Sequence, residues 1–326
     1  MAQIVLQHVR KTYRVSKRKP GMLGALKGAF TREVTEIRAA DDISFSIEPG
    51  ELVGYIGPNG AGKSTTVKMM SGILVPDAGE VRILGRIPHK QRKEHVNHIG
   101  VVFGQRSQLW WDTPVMDSFH LLRDIYRVRE SDFKRRLEEL TGMLDAQALL
   151  HVPVRQLSLG QRMKCELIAA LLHDPEILFL DEPTIGLDAV TKLNLRAFLR
   201  AHNQKGVTMV LTTHDMDDIS ALCSRVMVIG KGRLLFDGDM AEMRRRYAPA
   251  RVIKARFEAD VAPFALEGAQ SVEMDGRAVK VTFLPEQAHA DALIASLASR
   301  GSLADLTVED TDVEELVADM YKEMDG

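Results

Sequence analysis

Cysteine is nearly absent: there are two in 326 residues, Cys165 and Cys223. That is too few for a disulfide framework or a cysteine-rich zinc site. Each lies in an apolar helical stretch and reads as a buried, reduced thiol. Long apolar runs are missing too. None approaches the roughly 18 residues of a membrane span, and stretches 167–172 and 207–213 are core-sized. The opening MAQIVLQHVRKTY lacks the apolar segment of a secretory signal. The chain therefore reads as cytosolic, meeting a membrane only through a partner or a surface helix. An excess of one charge is also absent. Lys and Arg total 43, Asp and Glu 45, for a net of −2. A protein that coats nucleic acid would be strongly basic, so no nucleic-acid partner is expected.

What is present is ordinary for a folded chain: 45% hydrophobic and 27% charged residues, enough for a sizeable core. The length allows two or three domains. Apolar strand candidates lie at 52–56, 176–181 and 207–213, with helical segments between them, which predicts an α/β core with a largely parallel sheet. Residues 113–147 carry Leu121, Leu122, Ile125, Tyr126, Phe133, Leu137, Leu140 and Leu144 at helical spacings. They read as a helical subdomain of about 113–173 inserted in that core. Beyond about 245 the character changes. Residues 251–257 and 278–283 alternate like strands, and 288–298 and 313–321 look helical. Two domains are expected, 1–245 and 250–326, with the linker at 244–249, where a basic run meets Pro249.

The first chemical motif is Gly57-Pro58-Asn59-Gly60-Ala61-Gly62-Lys63-Ser64-Thr65, between a strand and a helix. Its first eight residues fit the phosphate-binding pattern G-x-x-x-x-G-K-[S/T]. The glycines let successive backbone N–H groups face one anion, and the helix N-terminus adds its dipole. Lys63 would reach the β- and γ-phosphates of a nucleotide, and the Ser64 hydroxyl would ligate Mg²⁺. The second motif is the apolar strand ending in Asp181-Glu182. Acids at the C-terminal end of a strand sit where open α/β sheets bind ligands. Asp181 suits the Mg²⁺ shell and Glu182 the general base that activates water. The third, Leu157-Ser158-Leu159-Gly160-Gln161, reads locally as a capped helix start, with Ser158 as cap and Gln161 three residues on.

The order of these motifs, with Pro183-Thr184, Gly186-Leu187-Asp188 and His214, closely resembles the nucleotide-binding subunit of ATP-binding cassette (ABC) transporters, over about residues 1–240. The resemblance implies an α/β P-loop ATPase core with an antiparallel β subdomain and an inserted helical subdomain, followed by a small α+β C-terminal domain. It implies two ATP, each with Mg²⁺, sandwiched in a head-to-tail dimer. Each ATP lies between the P-loop of one subunit and Ser158, Gly160 and Gln161 of the other. Asp188 matches the aspartate that crosses the dimer interface, and His214 the switch histidine at the γ-phosphate. Tyr13 matches the aromatic that stacks on adenine, the alternative being a packing tyrosine. Gln105 matches the glutamine that contacts Mg²⁺ and the attacking water, with Gln108 as rival because this region is one residue longer than the common pattern.

Two further departures stand out. Leu159 replaces the usual glycine of the signature, which predicts retained activity with altered local packing. Residues 14–38 form an insertion in which Met22, Leu23, Leu26 and Phe30 fall at helical spacings among basic residues. It is either a solvated loop or a basic amphipathic helix at the membrane boundary, as in exporters with a similar insertion. The pair Trp110-Trp111 is either subdomain core or part of a groove for a permease. The acidic segment 306–316 is similar to the C-terminal ending of subunits from drug and small-molecule exporters.

The expectation is therefore an ATP-hydrolysing export subunit, homodimeric or heterodimeric, beneath transmembrane permease subunits. It would be peripheral on the cytoplasmic face of the inner membrane. The rival readings are a soluble ABC-type ATPase on ribosomes or DNA, and a non-hydrolysing regulatory module. The charge balance hides a division: residues 251–326 carry a net −9 and residues 1–250 a net +7. Membrane contact is thus expected indirectly or through the basic insertion.

Overall fold

The computed structural model describes residues 2–16, 34–104, 106–247 and 250–310. The chain runs β1 (Ile4–Ser16), β2 (Val34–Ile47), β3 (Leu52–Ile56), α1 (Lys63–Met70), β4 (Ala78–Ile83), α2 (Arg92–His95), β5 (Ile99–Phe103), α3 (Val115–Tyr126), α4 (Glu130–Met143), α5 (Leu159–Leu171), β6 (Ile177–Asp181) and α6 (Ala189–Gln204). It continues through β7 (Thr208–Thr213), α7 (Met216–Leu222), β8 (Arg225–Gly230), β9 (Arg233–Asp239), α8 (Met240–Tyr247), β10 (Arg251–Phe257), β11 (Ala269–Asp275), β12 (Ala278–Phe283), α9 (Ala290–Ala298) and β13 (Leu303–Asp310). Two compact units result, Met1–Asp237 and Gly238–Gly326.

In the first unit, β3 and β7 are buried along their whole length, as befits central parallel strands covered on both faces. They belong to a six-stranded sheet of order β5-β6-β7-β3-β8-β9. The pairs from β5 to β8 are parallel, with Leu52 opposite Met209 and Ile177 opposite Thr208. Parallel order places the C-terminal ends of β6, β7 and β3 side by side. A three-stranded antiparallel sheet, β2-β1-β4, accompanies it. Tyr55 and Phe179 share one apolar core with Ile4, Ile43 and Val67 from β1, β2 and α1. Helices α3 to α5 occupy the expected helical stretch, with Phe119, Phe133, Leu137 and Leu140 buried. Among the described residues no helix is long and apolar enough to cross a membrane.

Two sequence-based expectations are corrected. Residues 14–16 and 34–38 of the insertion are strand, paired Arg14 to Glu36 and Val15 to Thr35. β-branched residues extend the β1–β2 ladder there. The amphipathic candidate from Met22 to Phe30 lies outside the described residues. The basic run at 244–246 is helix, not linker. No Gly or Pro interrupts α8, and Asp239 Oδ1 accepts from the Glu242 N–H at its start, 2.6 Å. The division between units accordingly falls earlier, after Asp237.

The second unit is an antiparallel sheet of order β11-β12-β10-β13 with α9. Alternation in β10 buries Ile253, Ala255 and Phe257 and exposes Lys254 and Arg256. Leu293 and Leu297, one helical turn apart, join Phe257, Val281 and Phe283 in its core. The helical candidate 313–321 lies outside the described residues. A concavity of about 840 Å³ opens on this sheet, lined by Lys254, Arg256, Glu273 and Asp305 among others, and includes no P-loop residue.

Candidate functional site

The loop from β3 to α1 is shaped by what its glycines avoid. Gly62, at φ +110°, precedes α1, and a Cβ there would stand 2.0 Å from the Ala39 carbonyl oxygen. No other residue fits that turn. Behind it, Thr66 N–H donates to the Gly62 carbonyl at 3.0 Å. The Thr66 hydroxyl donates to the same carbonyl at 3.2 Å and accepts from the buried Tyr55 hydroxyl at 3.3 Å. Pro58, Asn59 and Gly60 are exposed, and Ala61 is buried. Ser64 and Thr65, on the first turn of α1, are half-buried.

Lys63 is 6% exposed. Its Nζ donates to the Gly57 carbonyl at 2.6 Å and the Pro58 carbonyl at 3.2 Å. An ammonium has three donors, so one remains for an anion held by the loop. Burial lowers its pKa, while Glu182 and Asp181 oppose the shift.

The acids arrive from the adjoining strand. Asp181 Oδ1 accepts from Ser64 Oγ at 3.1 Å and from Thr212 Oγ1 at 2.6 Å, joining β6 to α1 and β7. Glu182 follows at φ +55°, a sparsely populated conformation for a non-glycine residue, of the kind found at working sites. Its N–H is held by the Thr212 carbonyl at 2.9 Å and the Thr212 hydroxyl at 3.2 Å. His214, at the end of β7 and mostly exposed, places Nδ1 3.6 Å from Glu182 Oε1. Lys63, Ser64, Asp181, Glu182 and His214 thus converge at the C-terminal ends of three neighbouring strands. The hard oxygen donors Ser64 Oγ and Asp181 suit a magnesium ion that keeps most of its shell for phosphate and water.

Ser158, Gly160, Gln161 and Asp188 form a second cluster, at the starts of α5 and α6. Ser158 Oγ accepts from Gln161 N–H at 3.2 Å, and Gln161 Oε1 accepts from Ser158 N–H at 2.9 Å, a reciprocal cap. Asp188 caps α6, accepting from Thr191 N–H at 2.9 Å and Thr191 Oγ1 at 2.6 Å. These bonds hold its carboxyl below the usual range. A Cβ on Gly160 would lie 3.1 Å from Thr191 Cγ2, so the two helix starts touch. Leu159 lies over Gly186, where a Cβ would stand 2.8 Å from Leu159 Cδ2.

Tyr13 lies on β1 opposite Ile37 and is 36% exposed. Gln105 lies outside the described residues. Gln108 is committed elsewhere: its Nε2 donates to the Glu166 carbonyl at 3.1 Å. Leu109 is core, whereas Trp110 and Trp111 are 54% and 52% exposed. Sequence reasoning missed a buried network behind His214. Asp218, fully buried, accepts from Thr184 Oγ1 at 2.5 Å and Arg196 Nε at 2.6 Å. Asp215 caps α7 and pairs with Lys192 at 2.5 Å. The acidic run 215–218 after a histidine was the available signal. Cys165 and Cys223 are free and buried, and burial pushes the Cys165 thiol up to about 12.

A family model described as ABC transporter matches residues 40–185. The chain is 32% identical over 300 residues to "Methionine import ATP-binding protein MetN 2" of Enterococcus faecalis, covering 88% of this chain and 81% of that protein. It is 31% identical over 218 residues to "Probable multidrug ABC transporter ATP-binding protein YbhF" of Escherichia coli. There the match covers 67% of this chain but only 37% of that longer protein. Among solved structures, the ATP-binding cassette MJ0796, a dimer in a post-hydrolysis state bound to ADP and Pi, superposes with a TM-score of 0.60 at 26% identity. That match covers 73% of this chain and 98% of the other.

Proposed function

The chain belongs to the ABC transporter ATP-binding proteins, and on that premise we propose that it hydrolyses ATP to drive an export system through separate transmembrane permease subunits. The observation that carries the hydrolytic part of this reading is the convergence of Lys63, Ser64, Asp181, Glu182 and His214 at the ends of β3, β6 and β7, while export rests on the likeness of the insertion and the acidic C-terminal segment to those of export subunits. Bound Mg²⁺, held through Ser64, Asp181 and Gln105, would neutralise phosphate charge.

The residues then divide the work. Tyr13 stacks on adenine. The backbone N–H groups of 60–65 and the free donor of Lys63 fix the β- and γ-phosphates. Glu182, whose N–H is locked to Thr212, takes the proton of a water aligned with the γ-phosphorus. That water attacks in line as the bond to the ADP oxygen breaks. His214, within 3.6 Å of Glu182, orients the water and meets the γ-phosphate oxygens. Positioning and charge stabilisation supply most of the acceleration. The capped start of α5, with Ser158, Gly160 and Gln161, offers N–H groups and a helix dipole to the ATP of a second copy. Asp188 reaches across beside it. A homodimer has two such sites, and the dimeric cassette MJ0796 supports that assembly. The chain works as a peripheral subunit at the cytoplasmic face of the membrane.

Turnover of Mg²⁺-ATP by the wild-type chain and Glu182→Gln tests the hydrolytic reading. Loss of at least 100-fold in the variant, with ATP binding kept, is expected, and equal turnover overturns the base assignment. Recovery of ribosomes in place of a permease from a tagged chain overturns the transport reading. Import is the specific rival. The import protein MetN 2 aligns with 88% of this chain, more than the first unit alone provides. Reconstitution with the permease, following which way cargo moves, separates the two.

A further inference from the structure

Glu166 sits on α5 two turns after the Ser158 cap and is 4% exposed. Both of its carboxylate oxygens are engaged by the segment that follows Gln105. Ser107 Oγ donates to Oε1, and Gln108 N–H donates to Oε2 at 3.2 Å. Gln108 Nε2 adds a bond to the Glu166 carbonyl at 3.1 Å, and Leu109 N–H donates back to Ser107 Oγ at 3.1 Å. The same segment has two further ties to the helical subdomain. Trp110 N–H donates to Ser118 Oγ on α3 at 3.0 Å, and the Arg162 guanidinium of α5 lies 5.9 Å from the Trp111 ring centroid.

A carboxyl in this place is costly. Burial pushes its pKa up, and the bonds from Ser107 and Gln108 pull against that shift. Alanine would be the better helix former and would bury nothing polar. What the glutamate adds is position: it ties residues 58 and 59 positions away in the chain to one turn of helix.

We propose that Glu166 is a positioning residue that pins segment 107–111 to the helix carrying Ser158 and Gly160, so that both move as one body when nucleotide binds. The inference rests on the ATPase reading above. Gln105 leads directly into the pinned segment, while Ser158 and Gly160 serve the ATP of the opposite copy. A rigid link between them makes a change at one site felt at the other. It also carries that change to the exposed Trp110 and Trp111.

These are the only two tryptophans of the chain, so emission excited selectively from tryptophan reads this segment alone. The test uses full-length wild type, Glu166→Gln and Glu166→Ala. Glutamine can accept from Gln108 N–H while its amide donates to Ser107 Oγ. Without nucleotide, Glu166→Ala should raise acrylamide quenching of the tryptophans at least two-fold, with Glu166→Gln close to wild type. On adding Mg²⁺-ATP, wild type and Glu166→Gln should shift in emission, and Glu166→Ala should lose most of that shift. Its kcat should fall about ten-fold, while KM and the affinity for a fluorescent ATP analogue stay within about three-fold. Wild-type quenching, emission shift and kcat in Glu166→Ala would overturn the proposal. So would a wild type that binds ATP with no change in emission. A wild type that binds no ATP would instead defeat the ATPase reading, and quenching without nucleotide would then decide the pin. If Glu166→Ala does not fold, Ser107→Ala, at an exposed position, should give the same quenching change in smaller measure, and its absence overturns the pin.

Discussion

Ser64 and Asp181, 117 residues apart, are joined by a hydrogen bond of 3.1 Å from Ser64 Oγ to Asp181 Oδ1. The bond closes the first turn of α1 onto the end of β6. Two hard oxygen donors thereby stand where the phosphate-binding loop opens. Asp181→Asn should lower ATP turnover at least 100-fold at saturating nucleotide and raise the Mg²⁺ concentration needed for half-maximal rate. A magnesium titration of the variant reads both. Thr212→Val removes the other hydroxyl from the same oxygen, at 2.6 Å, and should cost less.

Leu159 and Gly186 form a complementary pair. Gly186 has φ +70°, and a Cβ there would lie 2.8 Å from Leu159 Cδ2. Gly186→Ala should cost about 1 kcal/mol for the left-handed backbone and displace Leu159 beside Ser158. Turnover should fall several-fold with stability only slightly lower. Leu159→Gly in that background should restore the part due to the clash. Turnover and urea midpoints of Gly186→Ala, Leu159→Gly and the double variant measure the coupling.

Asp218 is held by Arg196 and Thr184 in complete burial. Asp218→Ala leaves the Arg196 guanidinium without its principal partner, and breaking a buried pair from one side costs about 3–5 kcal/mol. Urea denaturation should show a loss of that size. Arg200→Ala, on α6 with Arg196 but exposed at the surface, should cost far less.

His173 makes stability depend on pH. Its ring stacks on Tyr126 with centroids 3.9 Å apart, and Nε2–H donates to the Ile99 carbonyl at 2.9 Å. Burial pushes its pKa down to about 4, against the opposing effect of that bond and of Asp174; Arg136 and His98 add to the lowering. Between pH 6.5 and 4 the unfolded chain therefore binds a proton that the folded chain refuses. The contribution is complete above pH 6.5 and is lost as pH falls through that window. From pH 7 to 5 it amounts to about 2 kcal/mol. His173→Phe keeps the stack and should flatten the fall in urea midpoint by that amount. His95 and His202 are lowered by burial in the same direction, so the variant should reduce the slope without abolishing it.

The P-loop, the Asp181-Glu182 pair and the Ser158 cap were legible in the sequence because each is local. A tight turn, a strand end or a helix cap is specified by residues within a few positions of one another. The alternation of β10 and β12 was legible for the same reason, since period two sets which side chains enter the core. The engagement of Gln108 was not. Nothing near Gln108 in the chain announces Glu166, which meets it only when α5 packs beside the end of β5. The basic run of α8 misled for a related reason. A basic run meeting Pro249 suggested a linker, while the absence of Gly and Pro within α8 and the Asp239 cap made a helix.

The sequence by itself therefore determined the chemistry available: a lysine and serine on a phosphate loop, two acids after a strand and a capped signature helix, each written in adjacent residues. Only the tertiary structure decided how these parts are held. It packed Leu159 over Gly186, fastened Asp181 to Ser64 and Thr212, and clamped the segment after Gln105 to Glu166. Those contacts join residues tens to more than a hundred positions apart, and packing geometry, not local pattern, selects them.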